Sequence, residues 1–130
     1  MSNYTAEHAR KGIDAPLPEI ATWPNQFSNY EITIVIPEFT SVCPLTGLPD
    51  FGTITIRYVP REKCLELKSL KEYILAYRNL GIFYENAVNR ILQDVARSCE
   101  PETMTVVGEF TPRGGIHSKC EVRYEKSTGQ

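Results

Sequence analysis

The stretch Ser69-Leu70-Lys71-Glu72-Tyr73-Ile74-Leu75-Ala76-Tyr77-Arg78-Asn79-Leu80-Gly81-Ile82-Phe83-Tyr84-Glu85-Asn86-Ala87-Val88 is where the chain changes period. Leu70, Ile74 and Tyr77 recur at i, i+4 and i+7, and after Gly81 a second set, Tyr84, Val88, Ile91 and Val95, repeats the helical spacing. Such spacing gathers apolar side chains on one helix face. It predicts two consecutive amphipathic helices, the first capped by Ser69 and the second running to about Ser98, with a break or bend at Gly81.

On both sides of this stretch the period falls to two. Upstream, Glu31-Ile32-Thr33-Ile34-Val35-Ile36 alternates over its first part and stops at Pro37, while Gly52-Thr53-Ile54-Thr55-Ile56-Arg57-Tyr58-Val59 alternates up to Pro60. Between them, Glu38 to Asp50 mixes Pro, Gly, Ser and Thr without a period and reads as a loop. Downstream, Met104 to Phe110 and Ser118 to Tyr124 read as strands around a turn-rich stretch, Thr111 to His117. The order β-β-α-α-β-β predicts an α+β fold, an antiparallel sheet with both helices on one face. Its free strand edges predict a homo-oligomer closed into a multi-subunit barrel. Residues 1–27, with Pro16, Pro18 and Pro24, read as an extended N-terminal arm, and residues 28–130 as a single domain.

At 130 residues, 42% hydrophobic and 23% charged, the composition suits one compact unit with a real core and excludes global disorder and collagen-like repetition. Fourteen basic against sixteen acidic residues give a formal charge of -2, which disfavours bulk nucleic-acid binding. No apolar run approaches the roughly 20 residues of a membrane helix. The first residues, Met1 to His8, carry neither a basic start nor an apolar core, so the expectation is a cytoplasmic protein without a secretory signal. Cysteines at 43, 64, 99 and 120 form no C-x-x-C pair, which argues against both a disulfide framework and a zinc ribbon.

Among these thiols Cys43 stands apart, because it lies in the loop between two strands, where rigid scaffolds usually carry reactive groups. Pro44 stiffens its backbone, and Thr40, Ser41 and Thr46 offer hydroxyls or turn amides that can stabilise a thiolate. Cys43 is thus either a nucleophile or an inert core filler. Asp50 closes the same loop, as a general acid facing a shared pocket or as an aspartate bonding its own turn. Glu85 and Glu66 can each accept the paired N–H donors of a guanine-like edge, or cap a helix in solvent. Lys68 with Lys71, and Arg113-Gly114-Gly115, can hold cofactor phosphates, or form an exposed helix face and an ordinary hairpin turn. No G-x-G-x-x-G follows a strand, so a Rossmann site is absent. His8 and His117 lack paired ligand spacing and read as surface or hydrogen-bonding residues.

Three motifs taken together, Glu38 to Thr53 around Cys43, Glu66-Leu67-Lys68-Ser69-Leu70-Lys71, and Phe110-Thr111-Pro112-Arg113-Gly114-Gly115-Ile116, closely resemble the short form of the QueF family. These are NADPH-dependent nitrile reductases that convert 7-cyano-7-deazaguanine to its aminomethyl product in queuosine tRNA-modification biosynthesis. The resemblance implies a tunnelling fold and a ring-based homo-oligomer, a decamer, with pockets between subunits. By motif position it makes Cys43 the nucleophile and Asp50 the proton donor. It places Leu65, Glu66, Leu67, Tyr84 and Glu85 against the deazaguanine, and Leu67, Lys68, Arg113 and Gly114 against NADPH, with no metal and no direct nucleic-acid partner. Two departures from the family fall on these site positions: Tyr84 stands where many members have His, and Leu67 where Ser is frequent. Glu72 also replaces a frequent apolar residue.

The implied chemistry suits these residues, because thiolate addition turns a nitrile into a thioimide that a nicotinamide can reduce. The nearest rival is an amidine-forming relative that captures the same nitrile on a base already in tRNA and then accepts ammonia; it has no use for the Lys68, Lys71 and Arg113 phosphate sites. A zinc-dependent pterin enzyme of the same fold needs His and Cys ligands that this chain does not array. A non-enzymatic ring-forming scaffold requires an unreactive Cys43.

Overall fold

The computed structural model describes residues 5–127. In chain order these form α1 (Ala6–Arg10), β1 (Thr22–Pro24), β2 (Ile32–Val42), β3 (Pro49–Val59), β4 (Lys63–Leu65), α2 (Leu67–Leu75), a 3-10 turn (Ala76–Asn79), α3 (Tyr84–Cys99), β5 (Thr103–Arg113) and β6 (Ile116–Glu125). The four long strands make an antiparallel sheet in the order β2-β3-β5-β6, and β1 pairs with β4 in a separate ribbon. The α+β layering expected from the period change is present.

Strand alternation sorts the two faces. Ile54, Ile56 and Tyr58 of β3 and Met104, Val106 and Phe110 of β5 are buried on one face, where Val88, Ile91 and Val95 of α3 meet them. Each fully buried aliphatic side chain of this kind contributes about 1.5–3 kcal/mol. Gly108 lets α3 approach the sheet, because a Cβ there would lie 2.5 Å from Val88 Cγ2. At the far end of β3, the Leu65 N–H donates to Tyr58 Oη at 3.0 Å and fastens β4 to the sheet.

Four boundaries differ from the sequence reading. Pro37 does not end β2: the strand runs on to Val42 through a register shift between Ile36 and Phe39, because at the sheet edge an irregularity absorbs the missing N–H. The expected loop therefore shrinks to residues 43–48. Helix α2 begins at Leu67 and is capped by Glu66, whose carboxylate accepts from the Lys68 and Ser69 amides at 2.7 and 2.8 Å. Ser69 instead accepts from the Ala21 N–H at 2.8 Å. The stretch Thr111 to His117 is mostly strand, turned by Gly114 and Gly115 with φ of 58° and 80°, the left-handed pair that a two-residue hairpin favours.

The N-terminal segment is more than an extended strip. It carries α1 and β1, and Arg90 of α3 donates to the Gly12 and Ala15 carbonyls while also pairing with Asp94 at 3.1 Å. Leu17 and Ile20 pack against the core.

Candidate active site

Cys43 follows β2 and opens a tight turn: its N–H donates to the Leu48 carbonyl and its own carbonyl accepts from the Gly47 N–H, both at 2.9 Å. Gly47 takes a φ of 72°, which a side chain would resist. One residue back, Val42 is bonded to the chain that enters α3, donating to the Leu80 carbonyl at 3.0 Å and accepting from the Ile82 N–H at 2.9 Å. The backbone thus ties the cysteine turn to the segment preceding Tyr84 and Glu85.

Desolvation opposes ionisation of the Cys43 thiol, yet hydrogen bonds from the Thr46 hydroxyl and from the Thr46 and Leu45 amides outweigh it and hold the thiol below its ordinary value. The charge of Asp50 reaches the thiol and pushes the other way. Iodoacetamide labelling of Cys43, followed by peptide mass spectrometry across pH, is expected to reach half its maximal rate below pH 9.0, the ordinary thiol value. A midpoint at or above that pH would contradict this environment. Burial pushes the Cys99 thiol up to about 12, so it does not compete for the label.

Asp50 lies on β3 opposite Ser41 of β2, on the helix-covered face, and is buried. Beside it a cavity of about 190 Å³ is lined by Asp50, Phe51, Tyr84, Phe110, Ile116 and Ser118, among others. Tyr84 is stacked on Phe110, with ring centroids 4.2 Å apart and planes 25° from parallel. Glu85 is exposed in the first turn of α3, where the positive end of the helix dipole favours a carboxylate. It also lies near β6: burial chiefly pushes the Cys120 thiol up, and the Glu85 charge adds to it.

Cys43, Asp50, Tyr84 and Glu85 thus gather at one end of the sheet. Leu65, Glu66, Leu67 and Lys68 do not join them. Leu65 is fastened to Tyr58, and the eight residue steps of β3 from Asp50 to Tyr58 span about 26 Å. The Glu66 carboxylate is engaged as the α2 cap, and those backbone hydrogen bonds hold it below the usual carboxylate range. Leu67 is 60% exposed beside Lys68 and Lys71 on α2, next to a groove formed with Val35 and Ile36 of β2. Gly114 belongs to the Cys43 end, in the hairpin beyond Phe110 and Ser118. Arg113 shares that hairpin through its backbone, paired with Ile116, and its side chain lies outside the described part of the molecule.

One contributor escaped the sequence reading, and another takes a different place from the one expected. Phe110 is the stacking partner of Tyr84, which strand alternation alone could have placed on the inner face. Ser41, read as a hydroxyl for the thiolate, instead sits in register with Asp50, and Thr46 serves the thiol. Among the described residues no group of three or more His, Cys, Asp or Glu side chains could hold a metal ion, and no helix is long and apolar enough to cross a membrane.

The sequence profile of the QueF-like protein family matches residues 49–129. An NADPH-dependent 7-cyano-7-deazaguanine reductase of Elusimicrobium minutum (strain Pei191) is 60% identical over 124 residues, covering 95% of this chain and 94% of the relative. A protein of the same description from Chlorobaculum tepidum is 58% identical over 106 residues, covering 82% of this chain and 89% of its own length. The crystal structure of an archaeosine synthase QueF-Like in the apo form superposes with a TM-score of 0.71 at 20% identity, covering 78% of this chain and 99% of that one, a likeness of fold.

Proposed function

The chain belongs to the QueF-like protein family, and from that premise we propose that the cluster around Cys43 is the catalytic centre of a nitrile reductase. The protein is an NADPH-dependent oxidoreductase that reduces the nitrile of 7-cyano-7-deazaguanine to the aminomethyl group. This reaction serves queuosine biosynthesis, and four free thiols suit a cytoplasmic setting. The observation that carries the site assignment is a thiol held below its ordinary value in a braced turn, within reach of the charge of a buried aspartate.

Cys43 as thiolate adds to the nitrile carbon, a nitrogen–carbon π pair moves onto nitrogen, and Asp50 delivers the proton that nitrogen takes. The product is a thioimide on Cys43. Tyr84 and Phe110 present an aromatic wall to a planar base, and the exposed Glu85 carboxylate can accept the ring N–H and exocyclic amine of its guanine-like edge.

A bound NADPH would supply hydride to this site, in two equivalents because nitrile to amine needs four electrons. The residues present fit such a cofactor. Leu67 offers exposed apolar surface beside the Lys68 and Lys71 ammonium groups, and a Cβ built at Gly114 or Gly115 meets nothing within 4 Å, which leaves room for close backbone approach.

The opposite placement of the two residue sets supports a site shared between copies. Leu65, Glu66, Leu67 and Lys68 of one subunit complete the pocket whose Cys43, Asp50, Tyr84 and Glu85 come from its neighbour. Among the described residues β2 and β6 end the sheet order, and apart from the bridge of Val42 to Gly81 at the tip of β2 their outer edges have no strand partner; joining β2 of one copy to β6 of the next continues the sheet into a tunnelling-fold ring, with rings stacked into a decamer. The archaeosine synthase shares the fold, whereas the relatives at 54–60% identity are reductases, and kinship at that level favours reduction over amidine formation.

Purified protein given 7-cyano-7-deazaguanine is expected to consume two NADPH per nitrile, measured by absorbance against product formed. No consumption with authentic substrate defeats the reading. For the shared pocket, refolding an equal mixture of Cys43→Ala and Lys68→Glu chains, each inactive or crippled alone, is expected to restore activity, because mixed rings contain some pockets with both parent halves. A mixture no more active than its components would place the whole site within one chain.

A further inference from the structure

Apart from tyrosines and cysteines, the buried polar or charged residues among those described are Ser41 and Asp50, at 0% and 8% exposure. They are direct partners on the β2–β3 ladder. Directly opposed residues on an antiparallel pair hold their Cβ atoms about 4.5–5.5 Å apart on one face. The neighbouring rungs on that face are apolar, with Phe39 opposite Gly52 and then Phe110. Ser41 Oγ has no hydrogen-bond partner. A buried hydroxyl left in this state destabilises the resting protein, and native chains seldom keep one without a use.

Building on the reading of Asp50 as proton donor, we propose that Ser41 is a positioning residue whose hydroxyl donates a hydrogen bond to the Asp50 carboxylate created when the nitrile nitrogen takes its proton. As the Cys43 sulfur bonds to the nitrile carbon, one π bond of the nitrile breaks and its electron pair is capped by the Asp50 proton. The carboxyl group is left as a carboxylate in a nearly closed place. Rotation about the Ser41 Cα–Cβ bond turns the hydroxyl toward it, and no covalent bond of Ser41 changes. The contact gains strength only as charge develops on Asp50, so it lowers the barrier without tightening substrate binding. Serine also suits the rung sterically, because its small side chain occupies a fully enclosed position opposite Asp50.

Ser41→Ala separates this role from a structural one, because the two roles move stability in opposite directions. The variant is expected to melt about 3 °C higher by calorimetry, since the orphan hydroxyl is gone. Its kcat is expected to fall about 10- to 100-fold with KM within about twofold, and the rate of covalent adduct formation with the nitrile in the absence of NADPH should fall by the same factor. Iodoacetamide labelling of Cys43 should keep its parent rate, showing the turn undisturbed. An unchanged kcat beside an inactive Asp50→Asn overturns the Ser41 assignment and leaves the nucleophile and acid standing. A Ser41→Ala protein that melts lower, fails to fold, or labels more slowly reveals a packing role and also overturns it. Full activity in Asp50→Asn defeats the underlying proton-donor reading instead.

Discussion

Cys43→Ala removes NADPH oxidation with 7-cyano-7-deazaguanine, by a factor on the order of 10⁴ or more, and leaves the intact mass of the protein unchanged after incubation with the nitrile alone. The parent protein under the same conditions gains the mass of the base. The size of the effect follows from the chemistry: without the sulfur, the nitrile carbon never becomes the more reactive thioimide, and no other described thiol is placed to substitute. Cys64 and Cys99 are buried, and Cys120 is half-buried on β6 with its thiol pushed up. The fold should survive, because the turn is held by backbone hydrogen bonds from Cys43 and Gly47 rather than by the thiol. An alanine protein that still forms the adduct would move the nucleophile elsewhere.

Asp50→Asn produces the second largest loss, about 10²- to 10⁴-fold in kcat/KM, the range in which a positioned proton donor contributes. The informative part is what happens to the thiol. In its ionised form, before it takes up the proton that it passes to the nitrile nitrogen, Asp50 opposes ionisation of Cys43, so its removal lets the thiolate of the substrate-free protein form at lower pH. Iodoacetamide labelling in Asp50→Asn should therefore have its midpoint shifted downward from the parent, while adduct formation with the nitrile slows. A more ionised sulfur that adds more slowly isolates the missing proton as the cause. Were labelling and adduct formation to slow together, Asp50 would be shaping the turn, and its role as acid would be lost.

Much of this architecture was legible from periodicity. Leu70, Ile74 and Tyr77, then Val88, Ile91 and Val95, mark the two buried helix faces, and Ile54, Ile56 and Tyr58 mark the inner face of a strand. Boundaries set by single residues were not. Pro37 reads as a strand end, because nothing local says that it will lie at a sheet edge where its missing N–H is harmless. Ser69 reads as a cap because serine is a good one, yet the chain direction fixed by β4 brings Glu66 to that position first. The candidate residues divide in the same way. Cys43 and Asp50 are close in sequence and their proximity was foreseeable, whereas the stacking of Tyr84 on Phe110 joins a helix start to a strand near the other end of the chain.

The sequence by itself determined which residue types are available and the local period of each segment, because side-chain spacing acts within a few residues and needs no tertiary partner. It also carried the kinship that names the chemistry. Only the tertiary structure decided that Ser41 faces Asp50, that Glu66 is engaged as a helix cap, and that Leu65 to Lys68 lie at the opposite end of the sheet from Cys43. Those facts depend on strand register and on the length of β3, quantities fixed by the packing of distant segments against one another.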